Sequence, residues 1–151
     1  MSLYTTQLLV QSMAKNISMN GGKTATVTPD DVTAYLNWAD DYINAKLHSV
    51  YYVPLTTITR NGITNYPPPI QFIATNLAAG WLVESIYQRI EPEISDAGKV
   101  HKENAMREID ELYQGALIGS NILQGQVRKA RNSFIDPNVA PLEPPNKRTY
   151  G

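Results

Sequence analysis

Apolar residues recur at helical spacing in four stretches of the chain. Around Thr6–Asn16, Leu9, Val10 and Met13 share one side before Asn20-Gly21-Gly22 breaks the pattern. From Thr28 onward, Val32, Tyr35, Leu36, Ala39, Ile43 and Leu47 follow at three- and four-residue steps. That spacing predicts an amphipathic helix with Asn37, Asp40, Asp41 and Asn44 facing away from the core. Its start is specified chemically: Thr28 suits an N-cap, Pro29 the first helical position, and Asp30 and Asp31 the positive end of the helix dipole. The helix is expected to end near Ser49, because Val50-Tyr51-Tyr52-Val53 is β-branched and aromatic and leads into Pro54.

A third helix, from about Pro69 to Ile90, would bury Ile70, Ile73, Ala74, Leu77, Trp81, Leu82 and Ile86. Ala78, Ala79 and Gly80 leave room for a neighbouring backbone, and Glu91-Pro92 is expected to end the helix. The fourth starts near Ser95 or Asp96, buries Val100, Met106, Ile109, Leu112, Tyr113, Ala116 and Leu117, and closes at Gly119. Gly98 should weaken its first turn.

The connections are equally patterned. Lys23–Val27 reads as a brief strand or an extended linker. Leu55–Tyr66 is a polar connection whose Asn61-Gly62 pair fits a tight hairpin turn, and an excursion of this length in a small domain is often functional. Pro67-Pro68-Pro69 then pre-sets the first turn of the third helix. The fold expected is all-α: a small bundle of three main helices plus a short amino-terminal helix, a long helix–helix loop and an extended carboxy-terminal arm. Its divisions are a helix and linker over 1–27, a helical domain over 28–125 and the arm over 126–151.

The arm differs from the body in both pattern and charge. Pro137, Pro141, Pro144 and Pro145 interrupt a stretch with no helical or strand period, so it cannot build a core by itself. Val127, Phe134, Ile135, Val139, Leu142 and Tyr150 are nevertheless spaced like anchors on a partner. From Gln126 the chain has five basic residues, Arg128, Lys129, Arg131, Lys147 and Arg148, against Asp136 and Glu143, a net +3. Residues 1–125 carry 8 basic and 12 acidic residues, a net −4, although the whole chain of 151 residues stands at only −1.

Little in the sequence points to catalysis. His48 and His101 lie in different helices without a partner at metal-ligand spacing, and there are no cysteines. No phosphate-binding loop, nucleophile elbow or dinucleotide fingerprint occurs. Asp40 and Asp41 point about 100° apart on a helix, so they read as a solvated face. Glu103, Glu108, Asp110 and Glu111 read likewise, with Glu103–Arg107 at i,i+4 spacing, or alternatively as the acidic wall of a passage. Trp38 and Trp81 read as core packing, and Arg128, Lys129 and Arg131 suit an acidic protein partner better than nucleic acid. No apolar run reaches the ~18 residues that span a bilayer. The expectation is a non-enzymatic protein with no cofactor, no metal and no membrane.

The order of elements carries a resemblance. An acidic-capped helix ends in Ala45-Lys46-Leu47-His48-Ser49-Val50-Tyr51-Tyr52-Val53-Pro54-Leu55, a polar connection follows, Pro68-Pro69-Ile70 opens an apolar helix, and an amphipathic helix runs into a segment from Gly115 to Gly125. Over about two thirds of its length the chain resembles the head–tail adaptor (connector) proteins of tailed bacteriophages, the group forming the first ring beneath the portal. The resemblance implies a structural virion protein, present in the host cytoplasm during assembly. It also implies a homo-oligomeric ring, usually twelvefold, docked on the portal protein, with a stopper, nozzle or tail component below. Duplex DNA would pass through its channel without sequence-specific binding.

Three roles follow as expectations. The arm would bind the portal through Arg128, Lys129, Arg131, Phe134, Ile135, Pro137, Leu142 and Tyr150. The loop residues Thr59, Arg60, Asn61, Gly62 and Ile63 would face the tail side. The acidic body would repel DNA phosphate from the channel wall. The rival readings are a small terminase subunit, which recognises viral DNA but needs a basic helix-turn-helix, and a tail-completion or minor capsid protein.

Overall fold

The computed structural model describes residues 2–14, 27–87, 92–119 and 123–129. The fold is an all-α bundle of α1 (Gln7–Met13), α2 (Pro29–Leu47), α3 (Pro68–Tyr87) and α4 (Pro92–Ile118), with one small hairpin of β1 (Ile58–Arg60) and β2 (Ile63–Asn65) between α2 and α3. Lys23 and its neighbours through residue 26 lie outside the described residues, as do residues 88–91.

Packing centres on α3. Every residue from Ile73 to Gly80 is buried, as befits a helix that is apolar on all sides. The other three helices pack around it, α4 most extensively. Gly80 and Gly98 let α3 and α4 approach closely: a Cβ on Gly80 would lie 2.7 Å from the Gly98 carbonyl oxygen. Gly98 is therefore a packing residue of the helix crossing rather than merely a weak point in a first turn.

The start of α2 follows its sequence signal. Thr28 Oγ1 accepts from the Asp31 amide at 3.2 Å, and Asp31 Oδ2 accepts from the Thr28 amide at 3.0 Å, a reciprocal capping box. The Thr28 hydroxyl also donates to Asp31 Oδ2 at 2.7 Å, and this bond, with that from the Thr28 amide, holds the Asp31 carboxyl below its usual pKa range. The helix ends at Leu47, two residues before the expected Ser49.

Two expected faces and one helix boundary are corrected. Val100 is 54% exposed: the buried side of α4 is set by Ala105, Ile109, Leu112 and Ala116, and Val100 stands two residues, about 200°, from Gly98 on that side. Pro92 opens α4 instead of only ending α3, because proline is tolerated in a first helical turn. Asp40 is buried, although Asn37 and Asp41 are exposed as expected.

Asp40 is buried because the amino-terminal segment is folded onto it. Its carboxylate accepts from Ser2 Oγ at 2.9 Å, from the Leu3 amide and from the Tyr4 amide at 3.2 Å. Tyr4, 1% exposed, donates its hydroxyl to Asn44 Oδ1 and accepts from the Leu55 amide at 2.8 Å. Thr5 and Thr75 share a buried hydroxyl contact of 2.7 Å. The short amino-terminal helix is thus tied to both α2 and α3.

Candidate functional site

At one end of the bundle, the hairpin and the segment after α4 come together. Asn61 and Gly62 both have positive φ, 51° and 77°, as a two-residue turn between twisted strands requires. The ladder pairs Ile58 with Asn65, Thr59 with Thr64, and Arg60 with Ile63, and the Thr59 and Thr64 hydroxyls lie 2.8 Å apart. Thr59, Arg60, Asn61, Gly62 and Ile63 are all exposed, with Ile63 at 64%. The loop residues selected from sequence therefore form one free tip.

The chain after α4 does not leave the body at Gln126. Gly119 turns it with a φ of 76°, and buried Leu123 donates its amide to the Tyr51 hydroxyl at 2.9 Å. Gly125 passes so close to Ile58 that a Cβ would lie 2.5 Å from its Cγ2. Gln126 then makes a pair of hydrogen bonds with one residue: its Oε1 accepts from the Thr56 amide at 2.8 Å, and its Nε2 donates to the Thr56 carbonyl at 2.7 Å. Next to it, Tyr52 donates its amide to Val127 O at 3.3 Å, and Lys129 donates its own to Val50 O at 2.9 Å.

Arg128 and Lys129, expected on an acidic partner, bind the ends of their own helices. Arg128 Nη2 donates to the Ala116 carbonyl in the last turn of α4. Lys129 Nζ donates to His48 O at the end of α2 and lies 5.5 Å from the centre of the Tyr52 ring. Unpaired carbonyls and the negative dipole end make a helix C-terminus a good seat for a cation, which explains the difference. Arg131, Phe134, Ile135, Pro137, Leu142 and Tyr150 lie outside the described residues.

The remaining candidate chemistry is dispersed. His101 Nδ1 lies 3.0 Å from Asn76 Oδ1, and His48 Nδ1 lies 2.7 Å from the Ala45 carbonyl. Among the described residues, no three His, Asp or Glu side chains gather as a metal site, and no described helix is long and apolar enough to cross a membrane. The acidic residues of α4 separate: Asp110 pairs with Lys46 at 2.6 Å, holding the lysine above its usual pKa, while Glu111 lies 3.9 Å from Arg107. Arg107 thus pairs with the residue four positions after it rather than with Glu103.

Two surface features escape a one-dimensional reading. Trp38 is 56% exposed and stands edge-on to Tyr35 and Trp81 at 5.3 and 6.4 Å, with Tyr42 also edge-on to Trp81 at 6.0 Å. The sequence placed both tryptophans in the core because they adjoin the apolar stripes; Trp38 instead caps an aromatic patch. The Tyr35, Trp38, Tyr42 spacing is its sequence signal. The second feature is a groove of about 330 Å³ between α1 and the start of α3, lined among the described residues by apolar Leu9, Met13, Pro68 and Phe72 and by polar Ser12, Gln71 and Thr75. No family model, curated protein or solved structure matches this chain.

Proposed function

We propose that this chain is a head–tail adaptor subunit of a tailed bacteriophage, assembling into a ring beneath the portal and letting duplex DNA pass through. One observation carries the reading. The free hairpin and the carboxy-terminal segment share a clamp at one end of a helical body, formed by Gln126 on Thr56 and Gly125 against Ile58. A connector needs a rigid wedge between neighbours and separate contact elements, and here the clamp fixes the point beside the hairpin from which a long arm departs and can reach a second component.

The anchored root revises the roles within that reading. Arg128 and Lys129 fix where the arm begins, which leaves Arg131, Phe134, Ile135, Pro137, Leu142 and Tyr150 as the portal contacts. The apolar ones suit pockets on a partner, and Arg131 suits an acidic residue there. The hairpin tip at Arg60–Ile63 faces the tail-side component. A net charge of −4 over residues 1–125 favours a channel wall that does not hold phosphate.

The test is reconstitution with the purified portal protein of the same virus, read by light scattering and electron microscopy. Full-length chain should add a ring to the portal. A chain ending at Lys129 should keep its helical spectrum and lose portal binding, whereas one with 61–62 rebuilt as a longer Gly-Ser turn should bind the portal and fail to join the tail component. Absence of portal binding by the full chain, together with tight and salt-sensitive binding to duplex DNA, would overturn the proposal in favour of a terminase role.

A further inference from the structure

We infer that Asn61 is a self-modification site, at which the neighbouring Gly62 amide converts the asparagine side chain to an acid and, in part of the molecules, reroutes the backbone of the hairpin turn. The reaction itself needs no partner. Only its consequence rests on the adaptor reading, in which this tip faces the tail-side component.

An asparagine closes on itself when the next residue's amide nitrogen reaches its side-chain carbonyl carbon. A side chain on that next residue gets in the way, and a hydrogen bond from that nitrogen holds it back. Neither obstacle exists here. Gly62 has no side chain, and a Cβ placed on it would meet nothing within 4 Å. The ladder pairs Arg60 with Ile63 across the turn, so the Gly62 amide between them takes no part in it. Both turn residues are exposed, which gives water access to the reacting atoms. The other described asparagines are placed differently. Asn37, Asn44, Asn76 and Asn104 lie within helices, where the following amide is bonded to the preceding turn, and Asn65 precedes the bulky Tyr66.

The hairpin is also built to open at this point. Each strand has three residues, and a two-stranded hairpin is marginally stable in water on its own. Its base is held by Gln126 on Thr56 and by Gly125 against Ile58, whereas the tip from Thr59 to Thr64 is exposed throughout. Local opening of such a tip costs far less than unfolding the body. It lets Asn61 leave its φ of 51° and bring its side chain onto the Gly62 nitrogen.

The chemistry balances with water alone. The Gly62 nitrogen gives up its proton and bonds to Asn61 Cγ; the Cγ–Nδ2 bond breaks, and the amide nitrogen leaves with that proton as ammonia. Water then opens the five-membered imide ring. Cleavage between Cγ and the nitrogen gives aspartate, while cleavage at the backbone carbonyl gives isoaspartate, whose chain runs through Cβ. Nothing is oxidised or reduced. Either product sets a carboxylate beside Arg60, the only charged residue between Leu55 and Tyr66, and cancels the positive charge of the loop. Aspartate tolerates left-handed backbone as asparagine does, so that product keeps the turn. Isoaspartate adds a backbone atom, which a two-residue turn of fixed register cannot absorb. An aged subunit thus keeps its body and the root of its arm but loses the shape of its tail-side tip.

The test uses the full-length chain in buffer. Folded protein is held for days in mildly alkaline solution, with circular dichroism confirming its helices, and is sampled by peptide mapping with mass spectrometry and by methylation with an isoaspartyl methyltransferase. Acid should accumulate at position 61 ahead of every other described asparagine, with isoaspartate outweighing aspartate. Asn61→Gln, whose longer side chain closes poorly on the next amide, should lose the reaction at this position. The isoaspartate form, separated by ion exchange, should lose hydrogen-exchange protection in the hairpin strands, whereas Asn61→Asp keeps it. An amide that persists at position 61, or that is lost only in urea, would overturn the inference, as would an isoaspartate form whose hairpin exchanges like wild type. None of these readouts involves a portal or tail component, so their failure leaves the adaptor reading standing, and failed reconstitution leaves the modification standing.

Discussion

Gly80 and Gly98 fill one another's missing side-chain space across the α3–α4 crossing. A Cβ at Gly80 would meet the Gly98 carbonyl oxygen at 2.7 Å and the Lys102 amide at 2.8 Å, and one at Gly98 would meet the Gly80 carbonyl and the Glu84 amide, each at 2.8 Å. These four atoms are backbone and cannot rotate away, and the Lys102 and Val83 Cβ atoms, at 2.9 and 2.8 Å, are fixed to it. Alanine at either site gains up to about 1 kcal/mol of helix propensity but forces the helices apart, a strain of about 1–3 kcal/mol per added group. Gly80→Ala and Gly98→Ala should each lower stability by about 1–2 kcal/mol, read as a fall in the denaturant midpoint at unchanged slope. An unchanged or raised midpoint would show that the crossing is looser than described.

This pair also shows which parts of the fold can be read in one dimension. The Ala78-Ala79-Gly80 run already predicts a close neighbour for α3, and Thr28-Pro29, Asn61-Gly62 and Gly119 mark a helix start, a hairpin turn and a helix end where the structure has them. These signals are local, since each residue acts on backbone within a few positions of itself. The packing role of Gly98, the burial of Asp40 and the seat of Arg128 are not legible in the sequence, because their partners, Gly80, the Ser2–Tyr4 segment and the Ala116 carbonyl, are distant in it. A polar residue on a predicted outer face looks solvated until a remote segment supplies its donors. The candidate site divides the same way: the hairpin tip was legible, while the clamp at Thr56–Gln126 and the Trp38 patch arise only from tertiary packing.

Asp40 holds the amino terminus through three donors, so removing its carboxylate has a defined consequence. In Asp40→Ala, the buried Tyr4 amide loses its acceptor, and leaving a buried donor unpaired costs about 1–3 kcal/mol. Asp40→Asn should also weaken the latch, because an amide group turns a donor toward donors. The expected readout is faster hydrogen exchange at the Tyr4 amide and earlier proteolytic release of residues 1–14, with α3 and α4 protected as before. Equal protection of Tyr4 in wild type and variant would remove Asp40 from this role.

The root of the arm predicts where the chain can be cut. A chain ending at Lys129 retains Leu123, Gln126, Arg128 and all their contacts, and should unfold at the wild-type midpoint. One ending at Gly119 loses buried Leu123, its bond to the Tyr51 hydroxyl and the Gln126–Thr56 pair. Loss of one buried leucine side chain alone costs about 2–5 kcal/mol. A clear drop in the thermal midpoint between the two truncations is expected; equal midpoints would mean that the clamp contributes nothing to the body.

Tyr4 gives the fold a sensitivity to alkaline pH. Burial, together with the nearby Asp40 carboxylate, outweighs the lowering effect of the Leu55 amide and pushes the phenol pKa up from 10.0 to about 12. The folded state therefore keeps its proton on Tyr4 between pH 10 and 12, where the unfolded chain has released it. In that window the folded state binds more protons, so stability falls as pH rises. The contribution is whole below pH 10 and gone above pH 12. Tyr4→Phe removes the titration along with the bonds to Asn44 and Leu55, so it should be less stable at pH 8 and show a shallower decline from pH 10 to 12. Because the other eight tyrosines titrate in both proteins, the difference between the two curves isolates Tyr4. Parallel curves across that window would place its hydroxyl in contact with water.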